Sequence, residues 1–218
     1  MQVELLHQPA STIAKVTLRH GESVRAESGA MIAMTPTIEV KSKLEGGIGK
    51  ALGRFLAKES LFQSTFTASL GPGEVLLAPA GPGDVVAVEP RDGLMVTSGC
   101  YLAGDPGIKF ETITSVKNFF SGEGIFLMRA SGDGKILLSS YGAIHPVQLQ
   151  PGQQYLVDTG HLVAFSASLG YRLRKVARGL LNTIKSGEGI VVELTGPGIA
   201  YLQTRTPHPF GVATGGND

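Results

Sequence analysis

The string Gly47-Ile48-Gly49-Lys50-Ala51-Leu52-Gly53 has the glycine spacing and the lysine of a phosphate-binding loop. In such loops backbone N–H groups cradle the phosphates, the lysine reaches the outer ones, and a Ser or Thr directly after it holds magnesium. Here Lys50 is followed by Ala51, and the flanking residues read as antiparallel strands rather than a parallel strand-helix unit, so the string lacks the parts that hold a nucleotide. The five histidines, His7, His20, His145, His161 and His208, contain no His-x-His and no His-x-x-x-His pair. A metal needs several N, O or S ligands converging at about 2 Å, and folding would have to bring His145 to His161 to supply even two. The plainer expectation is that a ring nitrogen of His161 caps a turn and that His145 sits in a bend before Pro146.

Acid–base and nucleophilic chemistry are no better provided for. Glu123 and Glu188 stand at equivalent positions in two Ser-Gly-Glu-Gly-Ile strings, where a carboxylate serves local backbone donors rather than a catalytic pair. There is no Gly-x-Ser-x-Gly elbow, and the lone Cys100 lacks a local histidine pattern, so it reads as a small buried apolar residue. Arg172, Arg174, Lys175 and Arg178 form the densest basic cluster and could contact phosphate or RNA from an exposed face. Their alternation with Tyr171, Leu173 and Val176 is equally that of a half-exposed strand. No cofactor is expected.

The elements that would position these residues are short strands punctuated by glycine. Ser121-Gly122-Glu123-Gly124-Ile125 recurs as Ser186-Gly187-Glu188-Gly189-Ile190, with a looser copy at Leu70-Gly71-Pro72-Gly73-Glu74-Val75. Second Gly-x-Gly strings follow each, at Gly81/Gly83, Gly132/Gly134 and Gly196/Gly198. Upstream stand Ser28-Gly29-Ala30-Met31, Ser98-Gly99-Cys100-Tyr101 and Thr159-Gly160-His161-Leu162. Such self-similarity marks repeated supersecondary units that cannot bury their apolar faces alone. Between the marks, runs such as Val75-Leu76-Leu77-Ala78, Val85-Val86-Ala87-Val88 and Ile190-Val191-Val192 have the form of strands buried between layers. The glycines then turn the chain between sheets. The expectation is a single β domain over 1–207 with three repeats, about 20–90, 91–150 and 151–207, around a pseudo-threefold axis, and a flexible tail at 208–218.

The first unit is longer than the others between its upstream glycine and its first Gly-x-Gly, and the surplus falls on 46–59. Read as a short helix, this excursion places Ile48, Leu52, Phe55 and Leu56 on one face and Lys50, Arg54 and Lys58 on another. Interior glycines cost about 1 kcal/mol each against alanine, so the helix would need a surface to lie on. Either an anionic membrane interface or the protein's own barrel or a neighbouring subunit would serve.

At 218 residues with 42% hydrophobic side chains and no Trp, the chain can fill one sizeable core with Phe, Leu, Ile and Val. Nineteen Lys+Arg balance 18 Asp+Glu, which argues against a protein that binds nucleic acid through a broad basic surface. One cysteine excludes an intrachain disulfide framework and a cysteine zinc site, pointing to a reducing compartment. The start, Met1-Gln2-Val3-Glu4-Leu5-Leu6-His7, has the features of neither a signal peptide nor a mitochondrial presequence, and a cytoplasmic location is expected.

Taken together, Glu59-Ser60-Leu61-Phe62 leading to Gly71-Pro72-Gly73-Glu74-Val75-Leu76-Leu77-Ala78-Pro79, then Leu138-Ser139-Ser140-Tyr141-Gly142, Val157-Asp158-Thr159-Gly160-His161-Leu162-Val163-Ala164-Phe165, and Gly196-Pro197-Gly198 with Tyr201-Leu202-Gln203-Thr204-Arg205 resemble the altered-inheritance-of-mitochondria family. The resemblance runs from about residue 3 to residue 207. It implies a fold similar to the double-stranded β-helix of the tryptophan RNA-binding attenuation protein. Mitochondrial members are associated with inner-membrane organisation, whereas bacterial members, long catalogued as a domain of unknown function, have no assigned reaction. Fold likeness to an RNA-binding ring is analogy, because function resides in the site and not in the fold. The resulting expectation is a homo-oligomeric, non-enzymatic scaffold or binding protein whose contact surface is Ile48 to Lys58, meeting an anionic membrane or a protein partner. A small-molecule or metal-dependent enzyme with its site inside the β-helix, and an RNA-binding protein, are the alternatives.

Overall fold

The computed structural model describes residues 1–43, 63–113, 127–175 and 190–206. Within them the chain is all-β. In order the strands are β1 (Gln2–Leu6), β2 (Ile13–Leu18), β3 (Ser23–Glu27), β4 (Met31–Met34), β5 (Glu39–Lys43), β6 (Gln63–Thr67), β7 (Gly73–Leu77), β8 (Val85–Val88), β9 (Leu94–Thr97) and β10 (Tyr101–Gly104). There follow β11 (Lys109–Ile113), β12 (Leu127–Ser131), β13 (Ile136–Ser139), β14 (Ile144–Leu149), β15 (Gln154–Asp158), a 3-10 turn at Thr159–His161, β16 (Leu162–Ser166), β17 (Gly170–Lys175), β18 (Ile190–Thr195) and β19 (Gly198–Gln203). The helix expected at 46–59 lies outside the described residues, as does the tail after 206.

Four antiparallel sheets result, ordered β1-β2-β7-β4, β5-β6-β3-β10-β13-β8, β11-β12-β9-β16-β19-β14 and β15-β18-β17. The pairings β2·β7, β3·β6, β5·β6 and β4·β7 have the same form as β8·β13, β9·β12, β11·β12 and β10·β13. They also match β14·β19, β15·β18, β17·β18 and β16·β19. β4, β10 and β16 each carry a register shift against their partner strand, at Met31/Ala33, Tyr101/Ala103 and Leu162/Ala164. The bulge bends each strand where it leaves its corner. The stretches outside the described residues between strands fall after β5, β11 and β17, the same place in each set.

Burial follows the strand period. Ala14, Val16 and Leu18 of β2 point inward while Lys15 and Thr17 do not. β10, β13 and β16, each inside a six-stranded sheet, are buried along most of their length, as expected where both faces are covered. The buried apolar residues fall into three clusters, around Val16, Val75 and Leu102, around Val96, Ile136 and Val163, and around Phe165, Val192 and Leu194.

The glycine strings at Gly71/Gly73, Gly81/Gly83, Gly132/Gly134 and Gly196/Gly198 all lie where the chain passes from one sheet to another. Their correspondence is different from the sequence reading. Gly71/Gly73 precedes β7, and the strings in the same position before β13 and β19 are Gly132/Gly134 and Gly196/Gly198. The sequence had set Gly71/Gly73 against Gly122/Gly124 and Gly187/Gly189. Similar Gly-x-Gly strings occur at more than one corner, and only strand pairing tells the corners apart.

The tightest backbone approach joins the connections that lead into β2, β8 and β14. Thr12 N–H donates to Gly83 O at 3.0 Å, Ser140 N–H to Asp84 O at 3.1 Å and Gly142 N–H to Pro82 O at 3.0 Å, and Gly83 bridges Gly142 in parallel. A Cβ on Gly83 would fall onto the Ser140 carbonyl oxygen, which is backbone and cannot swing aside. Gly83→Ala is therefore expected to lower stability by about 3 kcal/mol, the upper range for forcing one carbon into a packed site, read as a lower midpoint in urea melts at unchanged slope.

Candidate functional site

Beside that backbone junction lies a buried polar cluster built from three distant segments. Thr12 Oγ1 donates to Asp84 Oδ1 at 2.6 Å, and the N–H of Val85 donates to the same oxygen at 2.8 Å. The N–H of Asp84 donates to Ser140 Oγ at 3.3 Å, and the Ser140 hydroxyl donates to Gly142 O at 2.9 Å. All three side chains are buried. A serine nucleophile needs a base to take its proton, whereas here the hydroxyl proton is directed at a carbonyl and the carboxylate accepts from Thr12 and the backbone. The arrangement is a structural clasp.

A cleft of about 170 Å³ opens next to it, lined by Glu27, Gly81, Ser139, Ser140, Tyr141 and Gln203 among others. Gln203 is fixed at both ends of its amide: Oε1 accepts from the N–H of Tyr141 at 2.9 Å and Nε2 donates to Gly160 O at 2.7 Å. Burial pushes the Glu27 carboxyl above its ordinary range. Burial, with a contribution from the Glu27 charge, pushes the Cys100 thiol up to about 12, so it is not a thiolate nucleophile at neutral pH. The cleft is smaller than the roughly 300 Å³ at which pockets begin to enclose drug-sized ligands.

The residues singled out in the sequence are distributed as follows. Ile48, Lys50, Leu52, Arg54, Phe55, Leu56 and Lys58 lie outside the described residues, as do Glu123, Glu188 and Arg178. His145 is exposed on β14 and His161 ends the 3-10 turn before β16. β14 and β16 flank β19, with His145 and Leu162 both opposite Leu202, so two strand spacings, about 10 Å, separate the backbones near the two histidines. His161 Nδ1 lies 2.7 Å from Gln203 O, anchoring the turn to β19 through a ring nitrogen. Among the described residues no group of three or more His, Cys, Asp or Glu is placed to hold a metal. Arg172 and Arg174 both ion-pair with the buried Glu193 on β18, the register partner of Arg172, Arg172 through Nε at 3.5 Å, so part of that basic charge is balanced within the sheet.

Two features escaped the sequence reading. The clasp residues Thr12, Asp84 and Ser140 lie 72 and 56 residues apart along the chain, and no local pattern joins them. The second is the exposure of large apolar side chains on β4 (Met31, Ile32, Met34) and β15 (Tyr155, Leu156). The strings around them look like buried strands, and only the sheet order reveals that both are edges.

Fold and site together define an all-β protein of stacked antiparallel sheets, whose buried polar groups hold chain segments to one another. The chain matches the family described as "Mitochondrial biogenesis AIM24" over residues 3–205, and it belongs to that family. It is 34% identical over 209 residues to an uncharacterized protein of Streptococcus pyogenes serotype M6, covering 91% of this chain and 83% of that one. A crystal structure of a Streptococcus pyogenes protein superposes with a TM-score of 0.75 at 29% identity, covering 94% of each chain. Among the described residues no helix is long and apolar enough to cross a membrane.

The raised Glu27 value has a consequence for stability. A carboxyl that holds its proton more tightly when folded contributes stability that is present below its unfolded value and lost as pH rises through the folded one. The neutral variant Glu27→Gln lacks that loss. Its melting temperature relative to the natural chain is expected to rise as pH is raised above the ordinary carboxylate range, as measured by thermal scans at a series of pH values.

Proposed function

We propose that this protein is a non-enzymatic scaffold or binding module that works as a homo-oligomer. In this reading its fold is a double-stranded β-helix of three like units, beginning at β2, β8 and β14. The recurrence of one pairing scheme in three successive sets of strands supports the unit reading. The observation that carries the function is the concentration of exposed large apolar side chains on two edge strands, while the buried polar side chains of the junction are directed at backbone and at one another. Apolar surface gathered in this way marks contact with another macromolecule. A cytoplasmic setting suits a chain whose single cysteine is a buried free thiol.

The segment 46–59 is the proposed contact with an anionic membrane surface, on the strength of its apolar and basic residues. Flotation with anionic but not neutral vesicles is expected, abolished by the combined change Leu52→Ser, Phe55→Ser and Leu56→Ser in a chain that keeps its mass and melting temperature; absence of flotation in the natural chain removes the membrane role. Light scattering of the full chain tests the assembly itself: a mass of two or more chains at about 10 μM is expected, since contacts of this class hold at micromolar concentration, and a monomer at that concentration overturns the scaffold reading.

A further inference from the structure

We infer that β15 of one copy of this chain pairs antiparallel with β4 of a second copy, with Met34 opposite Leu156. The inference deepens the homo-oligomer reading by naming the surface, the partner and the register.

The two six-stranded sheets are each joined at one internal seam, β3·β10 and β9·β16. Each seam runs from the second strand of one set to the third strand of the next. By the same count the last such strand is β15 and the first is β4. Among the described residues β15 pairs only with β18 and β4 only with β7, so each ends its sheet. The internal seams set Ala26 opposite Ala103 and Arg25 opposite Gly104, and Val96 opposite Ala164, Met95 opposite Phe165 and Leu94 opposite Ser166. Gly29, Gly99 and Gly160 occupy the same corner in each set, and counting from them places Ala33 with Ala103 and Ala164, and Val157 with Ala26 and Val96. Both seams then give one register for the open pair: Ala33 opposite Val157, Met34 opposite Leu156 and Thr35 opposite Tyr155.

Exposure identifies what is missing. Ile32 is 52% exposed, whereas Leu102 and Val163, in its place on β10 and β16, are at 0%. Met31 is 41% exposed against 1% for both Tyr101 and Leu162, and Met34 is 38% exposed against 0% for Phe165. Across the seam Leu156 is 59% exposed against 5% for Met95, and Tyr155 is 40% exposed against 3% for Leu94. The same positions are dry where a seam exists and wet where it does not. Free edges are usually blunted by basic residues or proline, as on β5 (Lys41), β11 (Lys109), β17 (Arg172, Arg174) and β14 (Pro146). β4 and β15 carry neither; the edge strands β1 and β8 also lack them but show no exposed large apolar side chain. The strand that fits β15 is thus a β4, and in this structure the chain's own β4 is not paired with it, which leaves the β4 of a second copy. The seam joins unlike surfaces, so its repetition closes a ring or extends a filament according to the rotation between copies.

The test uses two full-length chains, Met34→Cys and Leu156→Cys, each with buried Cys100 replaced by Ala and one carrying a mass tag. Mixed and mildly oxidised, they are expected to form a disulfide-linked mixed dimer at least about tenfold faster than Met34→Cys with Val40→Cys, whose exposed site on β5 is off the seam, because bridging requires Cα atoms within about 7 Å. No excess over that control pair overturns the inference, as does a Met34→Cys/Leu156→Cys chain that links within itself at monomer mass. Leu156→Lys, which needs no engineered thiol, is expected to lower the oligomer mass with an unchanged melting profile of the monomer. An oligomer that shows no cross-link would reject this seam and leave the homo-oligomer reading standing, whereas a monomeric natural chain would remove both.

Discussion

The close approach of three backbone connections, at Thr12, Gly83 and Ser140 to Gly142, is the constraint on which the rest of the structure depends. Each connection opens a strand, β2, β8 or β14, that pairs with the last strand of its own set. Tying the three openings together therefore fixes the strand sets relative to one another. The hydrogen bonds are backbone to backbone, so they tolerate side-chain change, but they demand that Gly83 carry no Cβ. Asp84 secures the junction by accepting from both Thr12 and the backbone of Val85, and a buried carboxylate supplied with donors is far less costly than one left alone.

From that junction outward, several polar side chains of the described residues tie chain segments to one another. Gln203 joins Tyr141 to Gly160, His161 reaches the Gln203 carbonyl, and Glu193 ion-pairs with both Arg172 and Arg174. Of the side chains that a search for catalysis would select, His161, Arg172 and Arg174 hold strands to one another, whereas His145 is exposed. The elevated Cys100 and Glu27 values have the same origin in burial, and they describe a dry interior beside a small cleft. Five of the large apolar side chains that face solvent lie on two strand edges, Met31, Ile32 and Met34 on β4 and Tyr155 and Leu156 on β15. In a protein whose sheets otherwise grow by joining one set of strands to the next, those edges are the places where growth stops.

Strand identity was legible in the chain because β-strands announce themselves locally. Val85 to Val88 is a continuous β-branched run interrupted by one alanine, and Ala14, Lys15, Val16, Thr17 and Leu18 alternate inward and outward. The glycine corners at Gly29, Gly99 and Gly160 were equally legible, since each precedes a strand of the same kind. The correspondence of the Gly-x-Gly strings was not, because one string resembles another and only the strand that follows distinguishes them. The clasp was not legible either: Thr12, Asp84 and Ser140 are ordinary residues until folding brings them within hydrogen-bond reach.

The sequence by itself determined an all-β protein with glycine corners and balanced charge, and its motifs led to the right family. These properties are written in nearest neighbours and in a two-residue period, so no long-range information is needed to read them. Tertiary structure alone decided which strands lie inside a sheet and which end one. Met31-Ile32-Ala33-Met34 and Tyr101-Leu102-Ala103-Gly104 look alike along the chain, yet the first is exposed and the second buried. The reason is physical: burial of a strand depends on the neighbour it pairs with, and that neighbour is chosen by the closure of the whole chain and not by the strand's own residues.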